Sequence, residues 1–194
     1  MEGFPLQTLL LALCWAGGML LGRFASMRCI AQTGEELMRY LKGYLSGAGK
    51  QSLSAEVVVQ TLCCYYRAPA AAFLFGFASI GAIALPVLCA AQGFVLSFSL
   101  FCFAVPLGRE GFLTLAVLFA LRLAVVVPCT IAAASAAMEK SCSLLSLSFG
   151  SGKRSRPVSY GAPYWYRFLI VCVCLLLGSV TELWLVPRLL AALG

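Results

Sequence analysis

Between residues 68 and 138 the chain carries only three charges in 71 residues, Arg109, Glu110 and Arg122. A bilayer core about 30 Å thick takes roughly 20 apolar residues per helix. Inside it every backbone amide must find its partner within the spanning structure, so a run of this kind crosses as helices. Residues 68–107 are long enough for two short spans, placed at 69–88 and 89–107. The GREG sequence at 108–111 reads as a tight turn, and 112–138 as one long span. The chain is an integral membrane protein by this reading.

The rest of the sequence agrees. The chain is 62% hydrophobic and 11% charged, against about a quarter charged in an ordinary soluble domain. Histidine is absent, and the seven acidic residues are all glutamates. That removes histidine-activated nucleophiles, histidine metal sites and paired aspartates, and no nucleophile–base pair or metal-ligand set is visible. We therefore expect no enzyme activity, no cofactor and no metal. The net charge of +7 does not point to nucleic acid, because the basic residues flank hydrophobic segments, where they anchor helix ends and set orientation. Most of the ten cysteines lie in apolar runs and read as small hydrophobes. No two CxxC pairs offer a metal site.

In chain order, residues 4–22 form the first span, read as retained rather than as a cleaved signal peptide, since no Lys or Arg precedes it and no clean A-x-A site follows. Gly17, Gly18 and Gly22 give it a face for close helix contact. EELMRYLKGYL, residues 35–45, sets apolar and charged side chains on opposite faces. After GAGKQS, Ser54 can cap a second helix over 54–66 with Glu56 in its first turn. The two form an amphipathic hairpin between spans 1 and 2. Span 2 holds Gly76, Gly81 and Pro86, and span 3 holds Gln92 and Gly93, which suggests a tight, kinked helix pair. Residues 139–167 read as a basic loop around Lys153, Arg154 and Arg156. Tyr160, Tyr164, Trp165 and Tyr166 then form an interfacial aromatic belt. The last span, 168–186, stops at Pro187.

The expected fold is therefore all-α: a polytopic transmembrane helix bundle of about five spans, one integral-membrane domain over residues 1–194. The candidate intramembrane polar residues are Arg122, Glu182 and Gln92. A charge at membrane depth costs several kcal/mol unless it is paired or reaches water, so a functional role and a structural pair are both open for Arg122. The positive-inside rule does not choose a topology cleanly, because residues 23–67 and 139–167 are comparably basic. A re-entrant segment in place of spans 2 and 3 is the alternative.

The order of local patterns resembles the stage II sporulation protein M family. The resemblance covers roughly residues 36–190 and rests on FGFASIGAIALPV before AAQGFVLSF, on PLGREGFL, on VVVPCTIAAASAAM and on ELWLVP. The positions that carry it are Gly76, Gly81, Pro86, Gly93, Gly108, Gly111, Pro128 and Pro187, the last with Glu182 upstream. One site departs: where family members often have a proline with polar neighbours, this chain has Leu121, Arg122 and Leu123. The resemblance implies a multi-pass protein of the mother-cell membrane of an endospore former. It would act at the septum during engulfment and hold stage II sporulation proteins D and P, which degrade peptidoglycan. On that expectation the chain is a membrane scaffold whose partners are the lipid bilayer and those proteins, with a homo-oligomer left open. A component of a transporter or small-molecule permease is the competing expectation, motivated by Arg122, Gln92 and Glu182 and by the glycine- and proline-interrupted helices.

Overall fold

The computed structural model describes residues 3–48, 55–104, 108–148 and 161–193. Side chains are described for these except at 3–5, 31–38, 40–48, 55, 57, 103–104, 108–118, 121 and 186–193. Among the described residues there are five helices and no strand: α1 Gly3–Ala48, α2 Ala55–Phe75, α3 Gly81–Ala104, α4 Gly108–Ser148 and α5 Ala162–Leu193. Four contain stretches long and apolar enough to cross a membrane, namely Leu6–Ile30, Gly81–Cys102, Arg122–Ser148 and Ala162–Leu185. The protein is thus an all-helical, multi-pass bundle suited to a lipid bilayer. α2, the remaining helix, has no such stretch among the described residues, and Glu56, Gln60 and Arg67 are exposed on it.

Contacts fix the directions. Gly18 lies against Ala90 and Gly22 against Phe94 and Ser97, while Arg23 reaches the ring of Phe101, so α1 and α3 run parallel. α5 runs antiparallel to both α2 and α4: Phe73 meets Phe168 and Tyr65 meets Glu182, while Glu139 meets Arg167 and Gly178 meets Val125. α4 touches all four other helices. A helix surrounded on every side needs small residues all round, and the run at 130–137 supplies them: Thr130, Ala133, Ala134, Ser135, Ala136 and Ala137 are all buried. The buried hydroxyls turn back on their own helix, Thr130 to the Val126 carbonyl at 2.7 Å and Ser135 to that of Ala132 at 3.0 Å.

The α1–α3 seam shows how close the packing is. A Cβ at Gly18, Gly22 or Gly93 would collide with the backbone oxygen of Ala90, Phe94 or Trp15 respectively. The two helices touch backbone to backbone, and most of the glycine face expected from sequence is used. Gly17 is the exception, since it faces open space.

Helix boundaries differ from the sequence expectation in five places. The division at 88/89 falls inside α3, because the break lies at residues 76–80. There Gly76 N–H is shared between the carbonyls of Ala72 and Phe73, both at 3.1 Å, and the next two amides bond back to Leu74 and Phe75 at 3.2 Å. Ser141 of α4 donates to the Ala78 carbonyl at 2.7 Å, with Ser79 O at 3.2 Å as a second acceptor in reach. A break inside the apolar layer requires such satisfaction from a neighbour. Second, 35–45 is not a separate interfacial helix but the continuation of α1, and 55–66 belongs to α2; residues 49–54 lie outside the described residues. Third, Gly108 and Gly111 belong to the first turn of α4 rather than to a turn between helices. Fourth, 139–148 and 162–167 are helical, so only the centre of the expected basic loop, outside the described residues, separates α4 from α5. Fifth, α5 runs through Pro187 to Leu193. Tyr164 is also turned inward, 4% exposed and stacked on Phe73, whereas Trp165 and Tyr166 are exposed as a belt requires.

The seam generates a contrast between adjacent glycines. Gly18→Leu is expected to destabilise the detergent-solubilised protein by about 1–3 kcal/mol or more through overpacking. Gly17→Ala should be neutral or slightly stabilising, since Ala favours helix over Gly by up to about 1 kcal/mol. Thermal unfolding of the two variants checks this; equal effects would contradict the seam.

Candidate functional site

A polar contact inside the bundle forms where α2, α4 and α5 meet. Tyr65 is fully buried, at 0% exposure. Its hydroxyl donates to Glu182 Oε2. On its ring face stands Arg122, with the guanidinium carbon 5.3 Å from the ring centroid, a cation–π arrangement. Arg122 and Glu182 are therefore joined through the tyrosine, and among the described residues they make no direct ion pair.

The surrounding helices hold this geometry. Gly178, one turn before Glu182, lets α5 lie against both neighbours: a Cβ there would come 2.6 Å from Val125 Cγ1 and 3.3 Å from Tyr65 Cε1. On α4, Arg122 is three residues before Val125, on the same face. At 1.5 Å per residue, Arg122 lies about 26 Å along α4 from Glu139, and Glu182 about 23 Å along α5 from Arg167. Glu139 and Arg167 themselves meet at 3.9 Å and are half exposed. If that pair marks one edge of an apolar layer about 30 Å thick, the junction lies near the opposite edge, at the ends of the spanning stretches of α4 and α5.

Chemically, the cluster balances one cation against one carboxylate across an aromatic ring. A tyrosine suits the task because it has an apolar body and a polar tip. Sequence reading singled out Arg122 and Glu182 and weighed their contact, but it left Tyr65 in an interfacial helix. The available signal was the need of two intramembrane charges for a partner, with a tyrosine on the flank of an adjoining segment.

Gln92 is not part of the junction; it is half-buried on α3 and makes no hydrogen bond among the described residues. The positions that carry the family resemblance are scattered. Gly76 and Gly81 flank the α2–α3 break, Pro86 lies inside α3, Gly93 in the α1–α3 seam, Gly108 and Gly111 at the start of α4, Pro128 on an exposed part of α4 and Pro187 within α5. Cys89, Cys102 and Cys129 are buried, whereas Cys172 and Cys174 are exposed on α5. Among the described residues no three His, Cys, Asp or Glu side chains converge as metal ligands. Comparison with protein-family models, with curated proteins and with solved structures finds no match to this chain.

The close approach at Gly178 yields a rescue experiment. Gly178→Ala is expected to cost about 1–3 kcal/mol by overpacking, and adding Val125→Ala should restore part of the loss because it removes the nearest colliding atom. Unfolding of the single and double variants in detergent checks this; simple additivity of the two losses would contradict the packing.

Proposed function

We propose that this chain is a non-enzymatic membrane scaffold of the sporulation engulfment complex. It would anchor or localise peptidoglycan-degrading partners in the mother-cell membrane, as the resemblance to the stage II sporulation protein M family implies. The supporting observation is the overrun of the helices at one end of the bundle. Cys29 of α1 lies against Cys102, near the end of α3. Residues 30–48 continue the same helix, about 28 Å of it by helical rise. α2 enters the bundle from that end with Glu56 and Gln60 exposed. A scaffold needs a chain-built surface beyond the lipid, and a helix that continues past its spanning stretch supports that reading.

The interior supports the same reading. Backbone contacts at Gly18, Gly22 and Gly93 and the alanine-rich face of α4 fill the space between helices. The two charges converge on Tyr65. The permease reading rests on those same charges and loses its support if Arg122→Gln and Glu182→Gln change no solute flux.

Deletion in the native host is expected to stop migration of the engulfing membrane and to disperse the stage II sporulation proteins D and P. Arg39→Glu and Glu56→Lys, both on the overrunning end, should lower co-purification of those partners several-fold while the protein's membrane abundance stays constant. Normal engulfment and normal hydrolase localisation after deletion would overturn the proposal.

A further inference from the structure

Six of the ten cysteines face one another in pairs across two of the helix seams. Cys14 of α1 lies near Cys89 of α3, and the Cys29 and Cys102 thiols of the same two helices share a hydrogen bond. Across α4 and α5, the Cys129 and Cys174 thiols do the same. The register of each seam puts them there. α1 and α3 run parallel with Gly22 against Phe94 and Ser97 and Arg23 at the ring of Phe101, and about two turns past Gly22, Cys29 meets Cys102. Cys129 and Cys174 each stand one turn along from Val125 and Gly178, which approach closely on antiparallel helices.

The pairs differ in depth. Cys29 and Cys102 stand at the ends of the spanning stretches of their helices, Leu6–Ile30 and Gly81–Cys102. In the two turns before Cys29, Arg23 and Arg28 are exposed, and a charge is costly in the apolar layer unless it is paired or reaches water. Cys29 is half-buried and Cys102 is buried. The other pairs lie inside the layer. Cys14 and Cys89 are each eight residues, about 12 Å by helical rise, from the start of their stretches, and Cys174 is at the middle of Ala162–Leu185. Of the three pairs, only Cys29 and Cys102 therefore meet where a reagent dissolved in water arrives.

We propose that Cys29 and Cys102 are a redox-active thiol pair that closes into an interhelix disulfide by exchange with a water-borne low-molecular-weight disulfide. The more exposed Cys29, having lost its proton to water, attacks one sulfur of the small disulfide. One small thiolate leaves, and a mixed disulfide remains on Cys29. Cys102 gives its proton to that thiolate and attacks the Cys29 sulfur. The second small thiolate departs and takes up the proton that Cys29 lost. Two protein thiols are oxidised, and one disulfide is reduced to two thiols. A disulfide needs Cα atoms about 4.4–6.8 Å apart, and a seam whose helices touch backbone to backbone, with the two thiols already in contact, supplies such an approach. The bond joins α1 to α3 where α1 runs on past its spanning stretch to Ala48, so oxidation clamps the root of that continuation.

The test equilibrates the full chain, in phosphatidylcholine nanodiscs, with glutathione buffers of increasing disulfide-to-thiol ratio. Samples are quenched in acid and alkylated, and the cysteine peptides are mapped by mass spectrometry without reduction. A peptide linked through Cys29 and Cys102 should accumulate as the ratio rises and disappear on addition of dithiothreitol. The linked protein should unfold several degrees higher, because a crosslink constrains the unfolded chain. Cys102→Ser should trap glutathione on Cys29, several-fold above the level on the unaltered chain, whereas Cys29→Ser should leave Cys102 free. Both thiols staying free at every ratio would overturn the proposal, as would glutathione persisting on Cys29 of the unaltered chain with no link to Cys102. Links at Cys14–Cys89 and Cys129–Cys174 forming as readily as the link at Cys29–Cys102 would overturn the selection of this pair by depth. An unchanged unfolding temperature of the linked protein would overturn the clamp.

Discussion

Two charged side chains on different helices share one polar partner, a buried tyrosine. Tyr65 binds the Glu182 carboxylate with its hydroxyl and the Arg122 guanidinium with its ring face. The contact ties α2 to α4 and α5, at one end of the apolar stretches of those two helices. It also explains why α2, the helix without a spanning stretch among the described residues, stays with the bundle: its inward face supplies the group that the other two contact.

The second requirement is close approach. Between transmembrane helices there is little hydrophobic drive, so association depends on van der Waals contact and on satisfied polar groups. Gly18, Gly22 and Gly93 bring α1 onto α3, Gly178 brings α5 onto Val125 and Tyr65, and the alanines of α4 admit neighbours on all sides. These contacts leave the outward faces of α1 and α5 to lipid, where Leu6, Leu13, Leu20, Leu169 and Leu177 are exposed.

Much of this was legible in the sequence. The near-absence of charge over residues 68–138 sets the helical membrane class through backbone chemistry alone, and the spacing of Gly18 and Gly22 marks a contact face that the structure uses. The α2–α3 break at 76–80 was not legible. It interrupts an unbroken apolar run, and the hydroxyl that stabilises it, Ser141, lies some 60 residues away in sequence. Dividing 68–107 by a standard span length therefore put the boundary a dozen residues too late. Tyr65 was hidden for a related reason: its segment has an amphipathic pattern, and the polar groups it serves come from α4 and α5. The overrun of α1 could not be read from periodicity either, since a helix leaving the membrane and a separate interfacial helix carry the same pattern.

The most direct test of the central claim is a double-mutant cycle between Tyr65→Phe and Glu182→Gln, read by equilibrium unfolding in detergent or bicelles. Tyr65→Phe keeps the ring under Arg122 and removes only the bond to the carboxylate, whose loss is expected to cost about 1.5–3 kcal/mol. The account predicts that the double variant loses less than the sum of the singles, with a coupling of about 1 kcal/mol or more. Additivity within about 0.5 kcal/mol, the behaviour of independent sites, would contradict it.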